Sequence, residues 1–195
     1  MNGRFLIGIL GGIASGKSTL AGIFTEWGAA LIDADKIGHK LLEQAEIQRK
    51  IRKEWGEDVF NSEGRIDRAR LGSIVFADKL EMEKLSDIVH PPLLKNIEEA
   101  LQSSRGPVVL DAALLVEFGL ASRCDCLIFI SADNDLRRQR VARRRGWSEE
   151  EMEKRQAFQG SMEEKQQMAH CTIRNYGSLK DLKEQARTVW ENYIR

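Results

Sequence analysis

The sequence predicts an α/β fold of three layers, a parallel sheet with helices on both faces. Three observations lead there. Apolar runs of strand length, Phe5 to Leu10 and Cys126 to Ile130, show no alternating polar face, the mark of strands buried on both sides. Helical patterns separate most of these runs, as parallel pairing requires. The first run passes directly into a glycine-rich turn and then a helix, IGILGGIASGKST at residues 7–19.

The elements follow in order. Arg4 to Leu10 reads as the first strand. Lys17 to Trp27 reads as a helix with Leu20, Phe24 and Trp27 at helical spacing, stopped by Gly28. Ala30 to Ile32 is a short second strand closed by Asp33-Ala34-Asp35. This order is a βαβ unit with a right-handed crossover. From Lys36 to Gln102 the pattern is almost wholly helical. Ile37, Leu41 and Leu42 form one apolar group; Ile47, Ile51 and Trp55 form another. Asn61 to Gly64 is a turn. Asp67 to Phe76, Lys79 to Val89 and Pro92 to Gln102 read as three helices, the last started by Pro91-Pro92, where missing amide donors cost little. A block this long exceeds a plain crossover. It predicts a helical subdomain at 36–102 inserted in a single domain of 1–195.

Beyond the loop Ser103 to Pro107, Val108 to Leu110 is a strand ending at Asp111, and Cys126 to Ile130 is the next. Asp135 to Arg145 is a basic helix. Ser148 to Glu151 reads as a capping box starting another helix. Thr172 to Arg174 is the last of five strands. Ser178 to Ile194 is a closing helix with Leu179, Leu182, Ala186, Val189 and Tyr193 along one stripe.

Composition narrows the partners. The chain carries 30 Lys and Arg against 30 Asp and Glu, so no net charge favours nucleic acid or an anionic membrane. The apolar start after Arg4 is broken by Gly11, Gly12 and Gly16, which suits a buried strand better than a leader. No stretch approaches the ~20 apolar residues of a membrane span. Cys124, Cys126 and Cys171 are odd in number and form no disulfide framework, which fits a reducing cytoplasm. Cys124-x-Cys126 lacks the second pair that structural zinc needs, so these read as buried or idle thiols.

Gly11, four residues, then Gly16-Lys17-Ser18 is the G-x-x-x-x-G-K-[ST] phosphate loop. Its glycines let the backbone bend with amides pointing inward. Those of Gly12, Ile13, Ala14, Ser15 and Gly16, with the following helix N-terminus, form a cradle for phosphate oxygens. Lys17 reaches the β- and γ-phosphates, Ser18 offers a hydroxyl to magnesium, and Thr19 sits near the α-phosphate. The strand before and the helix after it are the context that makes the motif specific.

Phosphoryl transfer also needs a positioned acceptor and charge stabilisation from the far side. Asp33 follows strand two at the carboxyl edge, where open α/β sheets bind ligands. It suits a base or orienting group for an acceptor hydroxyl; Asp35, the other candidate, lies closer to a helix start and suits a cap. Asp111 ends an apolar strand, as a metal-holding Walker B carboxylate does; a turn cap is the alternative. Arg137, Arg140 and Arg144 lie on one stripe of a helix with six arginines. In a phosphotransferase such a stripe suits a lid over 137–160; a solvated face and a nucleic-acid patch are the alternatives.

Several stretches together resemble the dephospho-coenzyme A kinase family. They are GGIASGKST at 11–19, LIDAD at 31–35, GRIDRARL at 64–71, IVF at 74–76, His90-Pro91, LDAALLVE at 110–117, RVARRRGWSEEEMEKRQAFQ at 140–159 and Asn175. Only the phosphate loop is generic. The resemblance implies a P-loop NTPase fold with a five-stranded parallel sheet, a helical acceptor-binding insert and a small arginine-rich lid. It implies magnesium- and ATP-dependent phosphorylation of the ribose 3′-hydroxyl of dephospho-coenzyme A. By the same resemblance Lys17 and Ser18 match phosphate and magnesium positions, and Asp33 the base. Arg140 and Arg144 match lid arginines, and Asn175 a position near adenine. His90 and Glu117 fall near the acceptor, and Leu114, in the same stretch as Glu117, is expected to bind it too. The expected state is a monomer or small homo-oligomer, with no nucleic-acid or membrane partner.

The chain departs from the family pattern at four places. Ala113 replaces a proline, Arg137 a glutamine, and His170 and Arg174 aspartates. Two other functions remain to be separated from this one: a P-loop kinase for a nucleoside, nucleotide or shikimate-like acceptor, and a slow nucleotide switch acting through a partner.

Overall fold

The computed structural model describes residues 4–194. The chain divides into two compact units. One runs through Asp33 and resumes at Leu101; the other is Ala34–Ala100.

The first unit is built on five strands, β1 (Arg4–Leu10), β2 (Ala30–Asp33), β3 (Gly106–Asp111), β4 (Cys126–Ser131) and β5 (Cys171–Arg174). They form one sheet in the order β2-β3-β1-β4-β5. Every pairing is parallel, as predicted. Because β1 is central, the loop that leaves it opens at the middle of the carboxyl edge. Strand side chains alternate between faces. Ile7 and Ile9 share one core cluster with Val109, Ile128, Ile130 and Ile173. Leu6 and Leu10, on the other face, are equally buried. Gly8 lies between them, and a Cβ there would come within 3 Å of Leu127, Cys124 and Leu115.

Helices α1 (Lys17–Glu26) and α9 (Leu179–Val189) complete the cluster of Ile7 and Ile9. Leu20, Ile23 and Phe24 of α1 meet Leu182, Ala186 and Val189 of α9 there. Phe24, Trp27 and Trp190 close it as an aromatic trio, with ring centroids 5.5–5.9 Å apart. The predicted closing stripe is shorter than expected. The α-helix stops at Val189, and Trp190–Ile194 is a π-helical turn. That wider turn keeps Ile194 buried and turns Tyr193 out; Leu179, the first helical residue, is also exposed.

Three helices connect the second half of the sheet: α6 (Asn134–Arg145), α7 (Glu149–Ala157) and α8 (Met162–Met168). Helix α8 escaped the sequence reading because MEEKQQM has no apolar period. Its start signal is Ser161, whose hydroxyl accepts from Glu164 N. The capping box expected at Ser148 is half made. Ser148 Oγ accepts from Glu151 N at 3.2 Å, but the Glu151 carboxylate accepts from Arg155 Nε at 2.6 Å. The reciprocal box stands at Ser178 and Asp181 instead.

The second unit holds α2 (Ala34–Leu41), α3 (Ala45–Trp55), α4 (Arg68–Val75) and most of α5 (Lys79–Ser103). Ile47, Ile51, Val59, Phe60, Leu71 and Val75 form its core, with Met82, Leu85 and Ile88 packed against them. The turn after Phe60 is fixed by Asn61, whose Oδ1 accepts from Glu63 N and Arg65 N. One prediction is corrected. Residues 79–103 are one helix with Pro91 and Pro92 inside it, not two helices parted at the prolines. The two rings remove two amide donors, those that would have bonded the carbonyls of Asp87 and Ile88. Packing of Met82, Leu85, Ile88 and Val89 against the unit's core outweighs that loss on the N-terminal side.

Candidate active site

The loop between β1 and α1 has the conformation the motif requires. Gly11 and Gly16 take φ of 146° and 109°, and Ala14 takes 59°. A Cβ on Gly11 would press into the Ile130 carbonyl, and one on Gly16 into the Asn175 amide. Only glycine fits either place. No side chain caps the first turn of α1, so its amides face the loop. Lys17 Nζ donates to Gly11 O at 2.8 Å and Gly12 O at 3.0 Å. Ser15 is buried and its hydroxyl has no hydrogen-bond partner. Ser18 and Thr19 open α1 and are exposed.

Two carboxylates flank this loop. Asp33 ends β2 and Asp111 ends β3, and the two are register partners. Asp35 lies in the first turn of α2, so the strand end belongs to Asp33. Asp111 is 8% exposed. Burial pushes its carboxyl above the ordinary value of 3.8, and the neighbouring Asp33 charge adds to this. The nearby Ser18 hydroxyl and the Lys17 ammonium act the other way. Loop lysine, loop serine and both strand-end aspartates thus form one electrostatic group.

Helices α6 and α7 bring a second set of groups to the loop. Arg137 Nε donates to Ile13 O at 2.8 Å. Arg140 Nη1 donates to Ala14 O at 3.2 Å and Nη2 to Asn175 O at 3.4 Å. Ile13 also packs with Val141 and Met152. The arginine stripe divides here. Arg137 and Arg140 reach the loop, while Arg144, a turn further on, is exposed. Asn175 is buried, and its Nδ2 donates to Ser15 O at 2.7 Å.

The residues expected near an acceptor are distributed over both units. His90 sits in α5 of the second unit. Leu114 and Glu117 lie in the segment after β3 of the first, where Phe118 N donates to Leu114 O at 3.0 Å. Glu117 Oε1 meets Lys165 Nζ at 2.8 Å, and Lys165 is almost wholly buried. Neither Lys165 nor Gln156, which contacts the loop at Ile13 N, was marked by the sequence. Lys165 stands in a polar helix with no burial pattern, and Gln156 was one polar residue in a charged run.

Three of the four departures have local roles. His170 Nδ1 accepts from Leu127 N at 3.0 Å, and the His170 backbone N–H donates to Leu127 O at 2.8 Å, extending the β4–β5 edge. Arg174 is held through its backbone by Gln185. Arg137 binds the loop, as described. Nothing in the structure explains Ala113. The thiols are free. Burial pushes Cys124 up to about 12, which leaves it inert.

Among the described residues no helix is long and apolar enough to cross a membrane. The dephospho-CoA kinase family model matches residues 5–181. The dephospho-CoA kinase of Thermobifida fusca is 38% identical over 192 residues, covering 97% of this chain and 96% of that one. The solved structure of the dephospho-CoA kinase from Campylobacter jejuni has a TM-score of 0.68 at 28% identity, covering 100% of this chain and 98% of that one. Shikimate kinase from Acinetobacter baumannii, solved with shikimate, has a TM-score of 0.54 at 17% identity, over 97% and 93% of the two chains. That likeness shows the shared fold alone. The phosphate loop left the acceptor open, and the full-length match decides it: the chain belongs to the dephospho-CoA kinase family, the phosphotransferases of the last step of coenzyme A synthesis.

Proposed function

We propose that this chain carries out the family reaction with Asp33 as base, Lys17 and the loop amides on the ATP phosphates, and Asp111 and Ser18 at a magnesium ion. The observation that carries this reading is the register pairing of Asp33 with Asp111 beside the phosphate loop. The acceptor is the ribose 3′-hydroxyl of dephospho-coenzyme A. Its oxygen forms a bond to the γ-phosphorus while the bond from that phosphorus to the β–γ bridging oxygen breaks. ADP leaves with the bond's electron pair, and the hydroxyl proton passes to Asp33. Lys17 neutralises charge on the phosphates as it shifts toward the leaving group.

The donor set suits a hard divalent cation. The Ser18 hydroxyl and the neighbouring Asp111 carboxylate offer oxygen ligands. Among the described residues no group of three or more His, Cys, Asp or Glu converges on one point. Ser18 and Asp111 would hold such a cation together with substrate phosphates, which suits magnesium. When bound, it supplies Lewis-acid neutralisation of the phosphate oxygens.

In this reading unit Ala34–Ala100, with His90, and the segment with Leu114 and Glu117 hold the acceptor. Residues 137–160 act as the lid, with Arg140 and Arg144 facing the nucleotide, and Asn175 lies near its base. The enzyme works in the cytoplasm as a monomer or small homo-oligomer, without nucleic acid or membrane.

The test is mass spectrometry of products after incubation with ATP, magnesium and dephospho-coenzyme A. Parallel reactions contain adenosine, AMP, shikimate or no acceptor. One phosphate gained on the 3′-hydroxyl of dephospho-coenzyme A alone is the expected result. Phosphorylation of another acceptor would overturn the substrate. ADP formed equally without acceptor would overturn transfer in favour of a nucleotide switch.

A further inference from the structure

We infer that Arg137 and Gln156 are a positioning pair that sets the phosphate loop for nucleotide. Ile13 lies within the cradle, and both of its backbone polar groups are held. Its carbonyl accepts from Arg137 Nε at 2.8 Å, and its N–H donates to Gln156 Oε1 at 3.1 Å. The two side chains are also bonded to each other, Arg137 Nη2 to Gln156 Oε1. Three bonds therefore close a ring around one residue of the loop.

The ring is supported from behind. Gln156 Nε2 donates to Gln159 Oε1 at 3.1 Å, and Gln159 is buried. That bond fixes which end of the Gln156 carboxamide faces the loop. Arg137 Nη1 donates to Asn134 Oδ1 at 3.1 Å, which orients the guanidinium at its own helix. Space is matched as well. A Cβ on Gly12 would lie 2.5 Å from Arg137 Nη2 and 3.0 Å from Gln156 Oε1. The second glycine of the loop is what lets the pair approach.

The consequence is mechanical and electrostatic. Helices α6 and α7 do not merely neighbour the loop but fix its backbone at Ile13, between the glycines that must bend. The guanidinium also sets a positive charge against a cradle built for polyphosphate. The pair acts on nucleotide through the loop, and on the acceptor not at all. This inference rests on the reading that ATP occupies the loop.

The test compares Arg137→Met, Gln156→Leu and the double variant with the parent enzyme. ATP binding is measured by calorimetry, and KM for ATP and for dephospho-coenzyme A by steady-state assay. Each single variant should weaken ATP by about tenfold, as loss of a charge-assisted hydrogen bond does. KM for dephospho-coenzyme A should stay within about twofold of the parent, and the double variant should be little worse than either single. Arg137→Lys keeps the charge without the fork and should recover part of the loss. Unchanged ATP affinity in both single variants would overturn the pairing, as would equal rises in both KM values or additive losses. A parent protein that binds no ATP would overturn the reading beneath it as well. Circular dichroism and thermal unfolding identify a variant that fails to fold, and the other single variant then decides.

Discussion

Asp33 and Asp111 stand side by side at the carboxyl ends of β2 and β3, as register partners in a parallel ladder. Both are acids at the end of short apolar strands, yet their surroundings differ. Asp111 is buried, close to the Ser18 hydroxyl and the Lys17 ammonium, while Asp33 is half-buried at the edge. Asp33→Asn is expected to lower kcat by about 10²–10⁴, the usual worth of a general base. KM for ATP should barely move, because the phosphate contacts lie in the loop. Steady-state kinetics decide it: equal loss in kcat and in ATP affinity would remove Asp33 from the base role.

Asp111 carries a stability cost. Its carboxyl is raised by burial above 3.8, so folding disfavours the charged form relative to the unfolded chain. For a raised group the stabilising share is fully present below the unfolded value and is lost as pH rises through the folded one. At neutral pH the charged Asp111 therefore opposes folding. Asp111→Asn should be more stable than the parent protein at neutral pH without added metal. The difference should vanish below 3.8, and kinase activity should fall. Urea unfolding at the two pH values checks the sign; a less stable variant at neutral pH would refute it.

Much of this arrangement is readable in the sequence, and the unread part has physical causes. The strands were legible because Ile7, Ile9, Val109, Ile128 and Ile130 leave no polar face. Asp33 and Asp111 were legible because an acid at the end of an apolar run is a break in pattern. Their pairing was not, since register depends on which strands become neighbours. Helix α8 and its buried Lys165 were hidden by a polar stretch whose burial comes only from tertiary packing. The long helix α5 was missed because local rules stop a helix at two prolines, while packing along its length carries it through. Gln156 was invisible for a related reason: its importance comes from meeting Ile13, 143 positions away in sequence.

The glycines of the loop make a steric prediction. Gly16 takes φ of 109°, and a Cβ there would press into the Asn175 amide. Gly16→Ala meets both penalties and should cost about 1–3 kcal/mol of stability, with nucleotide binding lost. Asn175→Ala in the same chain removes the clash but not the backbone strain. The double variant should regain part of the stability and none of the binding. Thermal unfolding and ATP calorimetry report the two effects separately. Full recovery of stability would mean that the clash alone sets the need for glycine.

The Lys165–Glu117 pair predicts an asymmetry between its two partners. The ions meet at 2.8 Å, but Lys165 is 4% exposed and Glu117 is 23% exposed. Breaking a buried pair costs about 3–5 kcal/mol, chiefly because a desolvated charge is left without its counterion. Which charge is left behind therefore sets the cost. Lys165→Met leaves a carboxylate that water can still reach, so its cost should fall below that range, at about 1–3 kcal/mol. Glu117→Leu strands an ammonium that water barely reaches, and should cost the larger amount. The double variant removes both charges and should be close to Lys165→Met alone. Urea unfolding of the four proteins closes the cycle. Equal costs for the two single variants would show that solvent reaches both ions alike. Additive losses in the double variant would show that the contact contributes nothing and that each residue acts through other neighbours.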